Sequence, residues 1–168
     1  MKDIGRIEGA DILIKNGKIS FIGNILTDQL DPQTKVIDAN GCSVLPGFVD
    51  SHTHFIFGGY RQDEFMDRLQ GVPYMEIMKR GGGIINSVKA TRKATYEELI
   101  SSGKKRLASM LSFGVTTVEG KSGYGLDLET EMKQLRVMKE LNMAQPIDIV
   151  STYMGAHAVA PEFEKDPD

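Results

Sequence analysis

The period of the apolar residues changes along the chain, and the changes outline its organisation. Residues 11–15 and 18–22 are β-like runs around Asn16-Gly17, the dipeptide that supplies the positive φ angles of a type I′ turn, so they predict a hairpin. Ile19 and Phe21 alternate with Lys18 and Ser20, as a strand with one wet face should. A third extended run, Lys35 to Asp38, leads through Asn40-Gly41 to Ser43-Val44-Leu45. Residues 1–45 therefore read as a small β layer.

From residue 47 the pattern becomes strand, loop, helix and strand again, which implies a parallel sheet with strands at 47–51, 115–119 and 147–152. Thr95-Tyr96-Glu97-Glu98 has the spacing of a capping box, and Leu99, Gly103, Leu107 and Met110 or Leu111 recur behind it at helical spacing. Gly114 sits where that helix should be capped. Leu128, Met132, Leu135, Met138 and Leu141 form the apolar stripe of a second helix, with Glu129, Glu131, Lys133, Arg136 and Lys139 on its other face. Residues 55–94 are long for a strand-to-helix connection, so they read as a functional loop with a short helix around Pro73 to Lys79. Gly81-Gly82-Gly83 reads as a bend, since no strand precedes it and no Walker pattern surrounds it.

Composition narrows the partners. The 168 residues are 40% hydrophobic and 26% charged, with a net charge of −3, so there is no basic field to hold nucleic acid or an anionic membrane. A small-molecule partner is expected, and a homodimer is left open. The single cysteine, Cys42, cannot make an intrachain disulfide and fits a reducing, cytoplasmic setting. No apolar run approaches the roughly 20 residues that cross a bilayer, and the start of the chain lacks a signal-peptide core. The polar run Pro161 to Asp168 reads as a loop, which suggests a chain cut off within a domain.

Chemistry-bearing residues gather after the strands. His52 and His54 lie one residue apart, and in an extended segment both imidazoles point to one side, where they can converge on a metal ion. Imidazole suits zinc, iron, copper or nickel, so the spacing alone does not choose. Lys121, Ser122, Gly123 and Tyr124 follow the second strand and His157 the third. Arg61, in the Gly58-Gly59-Tyr60-Arg61 loop, reads equally as a bidentate clamp for a carboxylate or as a solvated charge. Tyr124 reads as a pocket-rim hydroxyl or a packing ring, and His157 as a substrate contact or a core histidine satisfied by backbone. Lys121 reads as one half of a structural salt bridge.

The run Pro46-Gly47-Phe48-Val49-Asp50-Ser51-His52-Thr53-His54 resembles the opening strand of the amidohydrolase superfamily. Phe57-Gly58-Gly59-Tyr60-Arg61, Gly81-Gly82-Gly83-Ile84, Val88-Lys89-Ala90-Thr91-Arg92, Lys121-Ser122-Gly123-Tyr124-Gly125-Leu126 and Thr152-Tyr153-Met154-Gly155-Ala156-His157-Ala158 extend the likeness to its imidazolonepropionase family over essentially the whole chain. The resemblance implies an α/β fold: a TIM-like (β/α)8 metal-dependent barrel, of which residues 46–168 would be the first three or so β/α units, preceded by a β domain that C-terminal strands complete. It implies hydrolysis of 4-imidazolone-5-propanoate to N-formimidoyl-L-glutamate in histidine degradation, at one zinc or iron. His52 and His54 would be metal ligands, while Arg61, Tyr124 and His157 would contact substrate. The family's further ligands, a histidine after the fifth strand and an aspartate after the eighth, have no counterpart here, nor has its proton-transfer group. On that reading this segment alone is inactive, because a barrel of this kind takes about 250 residues and catalytic zinc usually has three protein ligands. Another cyclic-amide hydrolase, a deaminase, or a non-catalytic scaffold of the same fold are the alternatives.

Overall fold

The structure, a computed structural model, describes residues 4–26, 28 and 30–163, so residues 1–3 and the last part of the polar C-terminal run lie outside the described residues. Chain contacts divide it into two units, residues 1–44 and 45–168.

In the first unit, strands β1 (Asp11–Lys15) and β2 (Lys18–Gly23) pair antiparallel. Asn16 and Gly17 take φ of 53° and 72°, the positive pair that the turn between them demands. The expected third run does not form. Cys42 N–H donates to the Ala39 carbonyl across the Asn40-Gly41 turn, but the flanking residues 35–38 and 43–45 have no strand partner. A strand needs a ladder, and a lone hairpin offers only two edges. Nor does the hairpin have one wet and one dry face: Ile14, Ile19 and Phe21 are all exposed, and no residue of the described part of this unit is buried.

The second unit is built on β3 (Phe48–Thr53), β4 (Val115–Lys121) and β5 (Asp148–Thr152), parallel and in the order β3-β4-β5. The three strands expected from residues 47, 115 and 147 onward are therefore neighbours, as parallel pairing through helical crossovers requires. The connection after β3 is less loop-like than its length suggests. It holds α1 (Gln62–Leu69), α2 (Tyr74–Lys79) and α3 (Ile84–Lys93), of which only α2 was signalled by the sequence. Gly81 and Gly83, at φ of 86° and 66°, turn the chain between α2 and α3.

Helix α4 (Tyr96–Ser112) starts on the expected capping box: the Thr95 hydroxyl accepts from Glu98 N–H, and the Glu98 carboxylate accepts from Thr95 N–H. It ends at Gly114, whose φ of 84° and hydrogen bond to the Leu111 carbonyl close the last turn. Helix α5 (Leu128–Ala144) is capped by Asp127, which accepts from Thr130 N–H. Both helices pack on the sheet and on each other. The core between them contains Phe55, Ile56, Leu99, Leu107, Val118, Val137, Met138, Leu141 and Ile149.

The face of α5 differs from the expected stripe. Leu128 is 78% exposed and Met132 is exposed too, whereas Thr130, Glu131, Gln134, Val137, Met138 and Leu141 are buried. The first two turns bury polar groups because those groups serve the loops above the sheet, as described below. Gly103 marks the tightest contact of α4: a β-carbon there would lie 2.6 Å from Leu141 Cδ1 and 2.8 Å from Ile56 Cδ1. Gly103→Val should therefore destabilise the protein by about 1–3 kcal/mol through overpacking. Urea unfolding of the full-length gene product would measure this, and an unchanged midpoint would contradict the contact. Among the described residues no helix is long and apolar enough to cross a membrane.

Candidate metal and substrate site

His52 and His54 sit at the C-terminal end of β3, and the two residues after them, Phe55 and Ile56, drive into the core. This anchors the segment at once beyond the histidines. Three successive carbonyls there are held by side chains from the helices. Arg106 Nη1 donates to Phe55 and Phe57 oxygens at 2.8 and 3.1 Å, and Gln134 Nε2 donates to the Ile56 oxygen at 2.7 Å. The Arg106 guanidinium also lies 3.6 Å from the Phe57 ring centroid, a cation–π contact. Gly58 N–H donates to the buried Thr91 hydroxyl of α3.

The strand ends are stitched laterally. Thr53 Oγ1 donates to the Glu119 carbonyl at 2.7 Å, and the Glu119 carboxylate accepts from Thr152 at 2.8 Å and from Lys121 at 2.6 Å. The Lys121 ammonium, and next the Thr152 hydroxyl, hold the Glu119 carboxyl below the usual carboxylate range. Lys121 is therefore engaged in a structural ion pair on its own strand.

Above these ends four rings converge. His54 lies 6.0 Å from His52, 4.9 Å from Tyr124 and 4.7 Å from His157, centroid to centroid. Tyr124 and His157 are 5.8 Å apart, and Phe57 backs Tyr124 edge-on at 6.2 Å. The three loops of a parallel sheet thus deliver their polar residues to one place. Arg61 is not in that group. It caps the start of α1, and its guanidinium lies 3.9 Å from the Glu64 carboxylate.

A metal fits the histidine pair on two grounds. The Nδ1 atom of His54 is buried without a hydrogen-bond partner, which a buried polar atom rarely tolerates. The 6.0 Å between the His52 and His54 rings also lets one ion bridge them, since metal–imidazole nitrogen distances are about 2.0–2.1 Å. Burial foremost, then the neighbouring His157 ring, pushes His54 below its usual pKa against an opposing hydrogen bond to the Ser122 backbone. That favours the neutral imidazole that binds metals. Among the described residues no three His, Cys, Asp or Glu side chains form a complete cation site, so the pair would need ligands from elsewhere.

Sequence reading gave no loop-holding role to the residues that carry it. Glu131, Gln134, Arg106 and Ser122 each satisfy backbone groups of the segments bearing His54, Tyr124 and His157. The available signal was the uncapped amides of Ser122-Gly123-Tyr124-Gly125, which demand an acceptor near the start of α5.

The profile of the amidohydrolase family matches residues 35–80, the stretch that holds β3 and the two histidines. The relatives are more particular. The chain is 56% identical over 166 residues to an imidazolonepropionase of Clostridium tetani and 54% identical over 166 residues to one of Parabacteroides distasonis, covering 97% of this chain and 40% of each relative. It is 52% identical to the imidazolonepropionase of Alkaliphilus metalliredigens, covering 100% of this chain and 40% of that protein. The resemblance seen in the motifs is borne out, and the chain spans about two-fifths of the length of these relatives.

Proposed function

We propose that this chain is part of an enzyme that hydrolyses the ring amide of 4-imidazolone-5-propanoate to N-formimidoyl-L-glutamate, a step of histidine degradation in the cytoplasm. The observation that carries the reading is the convergence of His52, His54, Tyr124 and His157 at the ends of three parallel strands. Over half-identical relatives bearing the imidazolonepropionase name support the substrate. Residues 46–168 would be the first three or so β/α units of a (β/α)8 barrel, and the hairpin of β1 and β2 would gain strands from the remainder of the protein. The exposed Val36, Ile37, Val44 and Leu45 support that completion.

His52 and His54 would hold one zinc or iron ion, with further ligands from the remainder of the protein. When bound, such a metal polarises the ring carbonyl and activates water for attack. Tyr124 and His157 both stand beside His54 and 5.8 Å from each other, where they would fix the plane of the substrate ring and the face it presents. Phe57, backed by Arg106, sets an apolar ring edge-on to Tyr124. Arg61 would receive the propanoate, with Glu64 limiting where its guanidinium points.

The test is turnover by the purified, metal-loaded, full-length gene product on a panel of imidazolones, pyrimidines and purines. Hydrolysis of 4-imidazolone-5-propanoate in preference to the others is expected. Preference for a pyrimidine or purine would assign a deaminase or another cyclic-amide hydrolase. No turnover and no bound metal would leave a scaffold of the same fold.

A further inference from the structure

We propose that Glu131 is a positioning residue: its buried carboxylate holds the β4–α5 loop so that Tyr124 and His157 face His54. The inference rests on the functional reading above and adds a residue to it. Glu131 is 1% exposed and sits in the first turns of α5. Its oxygens accept four hydrogen bonds, all from main-chain N–H groups that flank Tyr124. Oε1 accepts from Gly123 at 3.1 Å, Gly125 at 2.8 Å and Leu126 at 2.9 Å, and Oε2 accepts from Gly123 at 2.9 Å. Among the described residues no salt bridge reaches it, and its oxygens are met by these amides at the N-terminal end of α5.

The loop could not keep this path unaided. Gly123 and Leu126 both adopt positive φ, 111° and 56°, and Leu126 has a side chain that disfavours it. A β-carbon at Gly125 would lie 2.7 Å from Glu131 N and 2.9 Å from its Oε1, so the backbone is wrapped directly onto the carboxylate. The same loop carries the coupling to the third strand. Ser122 N–H donates to the Thr152 carbonyl, Ser122 Oγ accepts from Met154 N–H, and a β-carbon at Gly123 would lie 2.8 Å from His157 Cβ. Releasing the loop from Glu131 therefore moves Tyr124 directly and His157 through Ser122 and Gly123. Glutamine is the informative replacement, because it keeps the volume but turns one acceptor oxygen into an NH2 group facing the Gly123 amide.

The experiment compares wild type, Glu131→Gln and Val137→Ala in the metal-loaded, full-length gene product. Val137→Ala, in the core of α5 below the loop, is the control for lost stability alone. Both variants should melt lower, but only Glu131→Gln should lower kcat/KM, by about ten- to a hundredfold as expected for misplaced positioning groups. Combining it with Tyr124→Phe should cost less than the sum of the two, since both act on one ring. Histidine NMR gives a readout independent of turnover: the His157 resonance, assigned with His157→Gln, should shift in Glu131→Gln and stay in Val137→Ala. If wild type fails to hydrolyse the imidazolone, the functional reading falls, and the His157 resonance still decides the role of Glu131. Should Glu131→Gln be insoluble, Glu131→Asp takes its place with the same readouts. Wild-type kinetics together with a wild-type His157 resonance would overturn the proposal.

Discussion

Replacing His54 by alanine in the full-length gene product should remove the bound metal and, with it, turnover. The expectation follows from the position of the ring, which touches every other member of the cluster while its buried Nδ1 lacks a partner. Loss of even an outer partner of a metal ligand weakens binding about 10- to 100-fold, so loss of the ligand itself should weaken it by more. Elemental analysis after dialysis against a weak chelator would give one transition-metal ion per chain for wild type and near none for His54→Ala. His52→Ala should behave alike, although His52 is exposed and the local damage to packing should be smaller. Full occupancy in both variants would show that the unpartnered His54 nitrogen has another role. The same cluster predicts that the two substitutions leave the melting temperature of the metal-free protein close to that of metal-free wild type, because neither ring belongs to the core.

Much of the local fold could be read from the chain because its determinants act over a few residues. The Asn16-Gly17 turn, the Thr95 capping box and the Gly114 cap each act within a few residues, and all three appear where their residue chemistry puts them. The parallel order of β3, β4 and β5 follows from alternation of strands and helices, which is visible as a change of period. What could not be read was long-range. Residues 35–45 have strand-like composition, but a strand exists only when another edge is present, and among the described residues none is paired with them. Helices α1 and α3 went unread in the long connection after β3, where only α2 was expected, because they are short, mixed in polarity and lack side-chain caps.

The error on α5 is the instructive one. Apolar periodicity placed Leu128 and Met132 inside and Glu131 outside, whereas Glu131 and Gln134 are buried. A hydrophobic stripe finds the core only where the interior is apolar throughout. Here the half of the helix nearest the strand ends turns a carboxylate and an amide inward, and these bind the backbone of the loops that bear Tyr124 and His54. Polar residues inside a helix face can therefore mark the end of the sheet where the chemistry lies.

Arg61→Ala should raise KM for the imidazolone propanoate far more than it lowers kcat. On the proposed function the substrate carboxylate would need a fixed cation, and Arg61, at the start of α1 in the loop after the histidine pair, would supply it. Its geometry here is only partly set: the guanidinium stands 3.9 Å from Glu64, too far for a hydrogen bond, and Glu64 spends its other oxygen on the Gly83 amide at 2.8 Å. A loose pair of this kind leaves the planar fork free to take a bidentate carboxylate, with Glu64 restricting its swing. Losing a charged hydrogen bond costs about 1.5–3 kcal/mol, a change of roughly ten- to a hundredfold in kcat/KM. Arg61→Lys keeps the charge without the fork and should recover only part of the loss. A substrate analogue with a neutral amide in place of the propanoate should be almost insensitive to Arg61→Ala. Equal losses for both substrates would separate Arg61 from the carboxylate and leave Glu64 as its true partner, holding the start of α1 against the Gly83 turn.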